Sequence, residues 1–227
     1  MKKKVLCIGD SLVLPREEVK YEETWYYLLK EKYNQCDFTC YLTRALLMPK
    51  TNDLFHNYYQ YYCPDIVIWE SGITDSAPRY FQRSKRLWKW ALGISTILKC
   101  ENLFWKNIKK YRKRDPQYAD TSLKDFEYYA ELLVKNFIKN GVKKIVLLAI
   151  EPVAITTQMK SPLLMDNIIK YNEVYEKIAE KYCDYVILIS PKKNATDDCF
   201  IKDGYHPNAK GMRLAFEGID DTLHKLV

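Results

Sequence analysis

Five short apolar runs, at residues 3–8, 37–42, 65–69, 144–150 and 185–189, alternate along the chain with longer segments patterned at helical spacing. Apolar runs of this length bounded by turn residues are the signature of strands buried on both faces. The clearest, Asp65-Ile66-Val67-Ile68-Trp69, is rich in β-branched and aromatic residues and ends in Glu70-Ser71-Gly72. Residues 19–33 place Trp25, Leu28 and Leu29 on one face, and 166–181 do the same with Ile169, Val174 and Ile178. Residues 123–139 are amphipathic and stop at Asn140-Gly141, a pair suited to a helix C-cap. Two more helices are expected at 52–62, closed by Pro64, and at 207–226, with Pro207 near its first turn. Strands alternating with helices predict an α/β fold, a parallel sheet with helices on both faces.

A chain of 227 residues is long enough to bury a proper core, and a single doubly wound domain over residues 1–227 is expected. Hydrophobic residues at 48% and charged residues at 29% exclude a disordered chain. The start Met1-Lys2-Lys3-Lys4 imitates a signal peptide, but the apolar stretch at 5–8 is too short for one. No segment reaches the roughly 20 apolar residues that span a bilayer, so a cytoplasmic location is expected. The seven cysteines are odd in number and lack CxxC spacing, which favours free thiols over zinc or disulfides.

In open parallel sheets, ligands gather beyond the carboxyl ends of the strands, where strand order reverses. With the order 2-1-3-4-5, the reversal lies between the first and third strands. Gly9-Asp10-Ser11-Leu12 follows the first, Gly72-Ile73-Thr74-Asp75 the third, and Asp203-Gly204-Tyr205-His206-Pro207 comes after the fifth. Three separate segments are thereby expected to meet. A serine hydroxyl becomes a useful nucleophile only when an imidazole accepts its proton. Ser11 is the candidate nucleophile, His206 the base and Asp203 the carboxylate that orients it. Candidate oxyanion donors are the backbone N–H groups of Ser11 and Gly72 and the Thr74 hydroxyl. Taken singly, each of these residues also fits a turn or a helix cap.

Gly9-Asp10-Ser11-Leu12, Gly72-Ile73-Thr74-Asp75 and Asp203-Gly204-Tyr205-His206-Pro207-Asn208 with Gly211 resemble blocks I, III and V of the SGNH/GDSL hydrolases, in order and spacing. The resemblance implies a flavodoxin-like three-layer α/β/α sandwich with a five-stranded parallel sheet. It implies ester hydrolysis by Ser11, His206 and Asp203, with no metal or organic cofactor. An acylated carbohydrate or other small ester is the expected substrate. An O-acyltransferase on the same triad and an inert protein retained for binding are the alternatives. Two emblematic residues are missing. The block II glycine has no counterpart in residues 42–47, where Ala45 or a neighbour is left to offer its N–H, and Thr74 replaces the block III asparagine. The run Gly72-Ile73-Thr74-Asp75-Ser76-Ala77-Pro78-Arg79 is similar to a divergent branch found with bacterial surface-polysaccharide genes. In that branch Asp75 and Arg79 either bind substrate or brace the loop.

Residues 79–118 are longer than a plain connection requires. Leu87, Ala91, Ile94 and Leu98 recur at helical spacing amid Trp88, Trp90, Phe104 and Trp105. Arg83, Lys85, Arg86, Lys89, Lys106, Lys109, Lys110, Arg112, Lys113 and Arg114 concentrate much of the net charge of +7. Cations interleaved with tryptophan suit a peripheral contact with an anionic membrane or an oligomer contact, and equally a helical lid with solvated charges. No nucleic-acid module is recognised, and no nucleic-acid partner is expected.

Overall fold

The computed structural model describes residues 2–79, 86–99, 102 and 118–227. One sheet contains β1 (Lys4–Gly9), β2 (Asp37–Leu42), β3 (Ile66–Glu70), β4 (Lys144–Leu148) and β5 (Val186–Ile189). All pairs are parallel, and the spatial order is β2-β1-β3-β4-β5, as expected from the alternation of strands and helices. The central strand β3 is buried along its whole length, whereas the edge strand β2 is half-exposed.

Side chains alternate across the sheet with a period of two, and this sorts the core into two layers. Leu6, Ile8, Val67, Trp69, Ile145 and Leu147 face one side. There they meet α2 (Met48–Leu54), α5 (Leu123–Lys139) and α7 (Leu163–Lys181) through residues such as Leu54, Phe137 and Tyr175. Val5, Cys7, Ile66, Ile68, Val146 and Leu148 face the other side, against α1 (Trp25–Lys32) and α8 (Ala209–Leu223). Each fully buried aliphatic side chain contributes about 1.5–3 kcal/mol, so these runs outweigh any local helix or turn preference.

The helix boundaries differ from the periodicity in instructive ways. The segment expected at 52–62 begins earlier, at Met48, because Pro49 needs no hydrogen bond in the first turn. It then passes through a π-helical stretch, Phe55–Tyr59, and ends at Tyr62 before the left-handed Cys63. The segment at 19–33 opens with a 3-10 turn, Tyr21–Glu23, and turns α-helical only from Trp25. Pro207 lies outside the last helix: Asn208 is its cap, and its Oδ1 accepts from the N–H groups of Lys210 and Gly211. Two short helices were not foreseen, α3 (Ile73–Ser76) and α6 (Ile155–Lys160). Nor was the antiparallel ladder of Pro78–Arg79 with Tyr118–Ala119.

Helix α4 (Arg86–Ile97) occupies part of the basic, aromatic stretch and exposes Trp90 and Ile97. The other expectations for that stretch, including Arg83, Lys85 and the cations from Lys106 to Arg114, fall outside the described residues. Among the described residues no helix is long and apolar enough to cross a membrane. The described cysteines are free thiols.

Candidate active site

Strand order reverses between β2 and β3, the two neighbours of β1, and the segments that leave this end of the sheet form the site. Ser11 sits in a tight turn one residue beyond Asp10, which directly follows β1. Two local features hold the turn. Asp10 Oδ1 accepts from the Leu12 N–H at 2.8 Å, and the Asp10 N–H donates to the Glu70 carbonyl of β3. Gly9 is required by packing, since a Cβ there would lie 2.4 Å from a methyl of the fully buried Val13.

The loop after β5 brings the other two groups. Ser11 Oγ lies 3.0 Å from His206 Nε2, and His206 Nδ1 lies 2.6 Å from Asp203 Oδ2. Asp203 Oδ1 also accepts from the backbone N–H groups of Tyr205 and His206, which closes the loop on itself. Helix α6 supports it from behind: Thr157 Oγ1 donates to the Asp203 carbonyl, and the Ala154 N–H donates to Gly204 O. Residues 192 or more positions apart in sequence (Ser11 and Asp203) are thus joined through one imidazole.

The environment tunes these groups. Burial pushes the His206 imidazole below its ordinary 6.5, and nearby Arg16 and Arg44 push the same way, while Asp203 offsets part of the effect. Burial alone would raise Asp203, yet the two backbone donors and His206 hold it below the usual carboxylate range. At neutral pH the imidazole is therefore neutral and its orienting carboxylate ionised.

A cavity of about 180 Å³ opens in front of Ser11, lined by Leu12, Ile73, Thr74, Ala77, Arg79, Tyr205 and His206. Thr74 therefore shares the cavity with the serine. Gly72, expected as an oxyanion donor, is not among the residues lining the cavity: its φ of +115° starts α3, and a Cβ there would meet Ile150 at 2.6 Å. Ala45 does not line the cavity. It lies in the exposed turn after β2 with φ 52°, a left-handed conformation in which glycine is the easy residue. The position lacks the glycine but keeps the backbone shape a glycine would adopt.

Asp75 takes no part in lining the cavity, which favours the second of its two expected roles, bracing the loop, over contact with substrate. It is fully buried, accepts from the Met48 N–H at 2.9 Å and from the Thr121 hydroxyl, and burial raises its pKa to about 7. It braces α2 against α3, because an enclosed carboxylate must be hydrogen-bonded by its neighbours. Arg79 does reach the cavity, and its Nε donates to Asp120 Oδ2 at 2.8 Å.

Several residues of the site carried no sequence signal. Arg16 Nη2 donates to the Ser11 carbonyl at 3.0 Å. Beneath the Ser11 turn lies an enclosed ionic cluster. Lys192 Nζ is 2.6 Å from Glu70 Oε1, Trp25 Nε1 donates to Glu70 Oε2, and the Lys192 N–H donates to Glu151 Oε1. Burial pushes Asp10 and Glu151 up to about 7 in this cluster. Charged residues at strand ends read as solvent-facing until the fold encloses them. Among the described residues, no group of three or more His, Cys, Asp or Glu side chains is arranged to hold a metal ion.

No protein-family model matches the chain, and no curated protein is similar to it in sequence. Solved structures do share its architecture. The psychrotrophic esterase EstA from Pseudoalteromonas sp. superposes with a TM-score of 0.63 at 16% identity, covering 99% of this chain and 98% of that one. A variant of the acetyl xylan esterase Axe2 from Geobacillus stearothermophilus gives 0.62 at 17%, covering 96% and 92%. A GDSL-like lipase from Bacteroides thetaiotaomicron gives 0.63 at 12%, covering 99% and 89%. At these identities the likeness concerns the fold: the chain has the SGNH/GDSL hydrolase fold.

Proposed function

We propose that the protein is a serine esterase that removes a short acyl group, acetyl above all, from a carbohydrate hydroxyl. The observation that carries this reading is the continuous chain Ser11 Oγ, His206 Nε2, His206 Nδ1, Asp203 Oδ2, with links of 3.0 and 2.6 Å, opening on one small cavity. Ser11 attacks the ester carbonyl while His206 accepts its proton, and the same imidazole then delivers that proton to the departing alcohol. Water attacks the acyl-enzyme in the second half, again with His206 as base. The Ser11 N–H and the Thr74 hydroxyl serve as oxyanion donors, the latter standing where the resemblance expects an asparagine amide.

Substrate size follows from the cavity. Leu12, Ile73 and Ala77 give about 180 Å³ an apolar wall suited to a methyl group rather than a long chain. Structural neighbours include proteins described as acetyl xylan esterases. The Gly72-to-Arg79 signature adds bacterial surface polysaccharide as the setting.

A fluorophosphonate probe tests the reading directly. Peptide mass spectrometry should find the adduct on Ser11 and on no other serine; well-folded protein that stays unlabelled would refute it. The pH profile gives a second check. Protonated His206 cannot act as base, and its pKa is lowered, so kcat/KM should rise with pH along a limb centred below about 6.5. A limb centred well above 7 would assign the base to another group.

A further inference from the structure

A second cavity, of about 340 Å³, adjoins the first and shares Arg79 and Tyr205 with it. Its other lining residues are Pro78, Thr157, Lys160, Ser161 and Asp203. Asp203, which lines this cavity, is hydrogen-bonded to the imidazole through His206 Nδ1, and Tyr205 immediately precedes His206, so this cavity lies on the imidazole side of the serine. That is where the departing alcohol must sit to receive its proton from His206. The larger space therefore holds the alcohol half of the ester, and its walls read that half.

Those walls are electrostatically one-sided. Among the described lining residues, Arg79 and Lys160 are the cations and Asp203 is the one carboxylate. Asp203 does not oppose a bound anion fully, since its Oδ1 accepts from two backbone N–H groups and its Oδ2 from His206. Arg79 is held in place by Asp120, whose side chain is 1% exposed, through a single Nε contact of 2.8 Å. A guanidinium offers five donors in a planar fork, so one ion pair fixes its plane without exhausting it. Arg16 and Arg44 add positive potential near the imidazole, with Asp203, Glu18 and Asp10 as counter-charges to Arg16.

From this arrangement we infer that the second cavity is an anion-reading subsite: the alcohol half of the ester carries a carboxylate or phosphate group, held between Arg79 and Lys160. The inference rests on the esterase reading and names its substrate class, an O-acylated acidic saccharide or sugar phosphate. Guanidinium binds either group in bidentate fashion, and the lysine acts as a point charge. The Ser161 hydroxyl lines the same cavity, and Thr157 Oγ1, which already donates to the Asp203 carbonyl, can still accept from the sugar ring.

The test compares four acetyl esters with the purified protein: p-nitrophenyl acetate, an O-acetylated neutral methyl glycoside, its uronate counterpart and an O-acetylated sugar phosphate. Either anionic glycoside should exceed the neutral one in kcat/KM by about tenfold or more, mainly through KM, with the advantage shrinking as salt is raised. The better of the two identifies carboxylate or phosphate as the natural group. Lys160→Gln and Arg79→Gln should each bring the ratio of anionic to neutral kcat/KM toward one. Lys160 is exposed, so its variant keeps the test decisive even if Arg79→Gln, which leaves Asp120 without its guanidinium, folds poorly. Turnover of p-nitrophenyl acetate without any anionic preference, or a preference unchanged in Lys160→Gln, overturns the subsite alone. Failure on all four esters overturns the esterase reading and the subsite with it.

Discussion

Ser11→Ala should lower kcat/KM for p-nitrophenyl acetate by at least about 10⁴-fold, leaving a residue of activity supplied by binding and oxyanion donors. The size of the loss follows from what the hydroxyl does. It forms the covalent bond, and among the described residues it is the hydroxyl hydrogen-bonded to His206 Nε2, at 3.0 Å. Stability should change by less than about 1 kcal/mol, since Ser11 is only half-buried and contributes one hydrogen bond through its side chain. The pairing of lost turnover with an unchanged melting temperature separates a catalytic role from a structural one. Activity within tenfold of the parent would remove Ser11 from the mechanism.

Lys192→Met should destabilise the fold by about 3–5 kcal/mol, measured by urea denaturation at pH 8. Lys192 and Glu70 are each about 95% enclosed, their side chains being 4% and 5% exposed. Burial by itself would lower the lysine pKa, but Glu70 and Glu151 outweigh it and keep the ammonium charged. Methionine fills similar space and leaves Glu70 with the Trp25 N–H as its remaining side-chain donor. The penalty arises mainly from that uncompensated carboxylate, so adding Glu70→Gln to Lys192→Met should recover part of the loss. The sign of the pH effect follows too. Asp10 and Glu151 lie at about 7 with Lys192 holding them down, so removing it raises both further. At pH 5 they are then neutral, and the deficit should be smaller than at pH 8. A loss below about 1 kcal/mol at both pH values would show that water reaches the cluster.

The parts of the site that could be read in the chain were those whose chemistry is local. Gly9-Asp10-Ser11 stands at the end of a strand-like run and Asp203 to His206 in the loop that follows the last one, and such segments meet at one edge in any doubly wound sheet. The strand runs themselves were legible because burial on both faces demands continuous apolar sequence, as in Ile66-Val67-Ile68-Trp69. Helix α3 and the Pro78–Arg79 ladder were not, since four residues and two residues are too short to show a period. For Asp75 the sequence left two roles open, binding substrate or bracing the loop. Only the packing of α2 reveals that its acceptor faces the Met48 N–H.

What the amino-acid order determined by itself is the layer architecture and the identity of the three residues linked at its edge. Apolar periodicity is a property of neighbours along the chain, and so are the turns that carry Ser11 and His206. What tertiary structure alone decided is how charge is distributed around them. Glu70 and Lys192, 122 positions apart, become a buried pair, and Arg79 and Lys160 become two walls of one cavity. Coulomb energies depend on separation in space and on exclusion of water, and neither quantity exists until the chain has closed around itself.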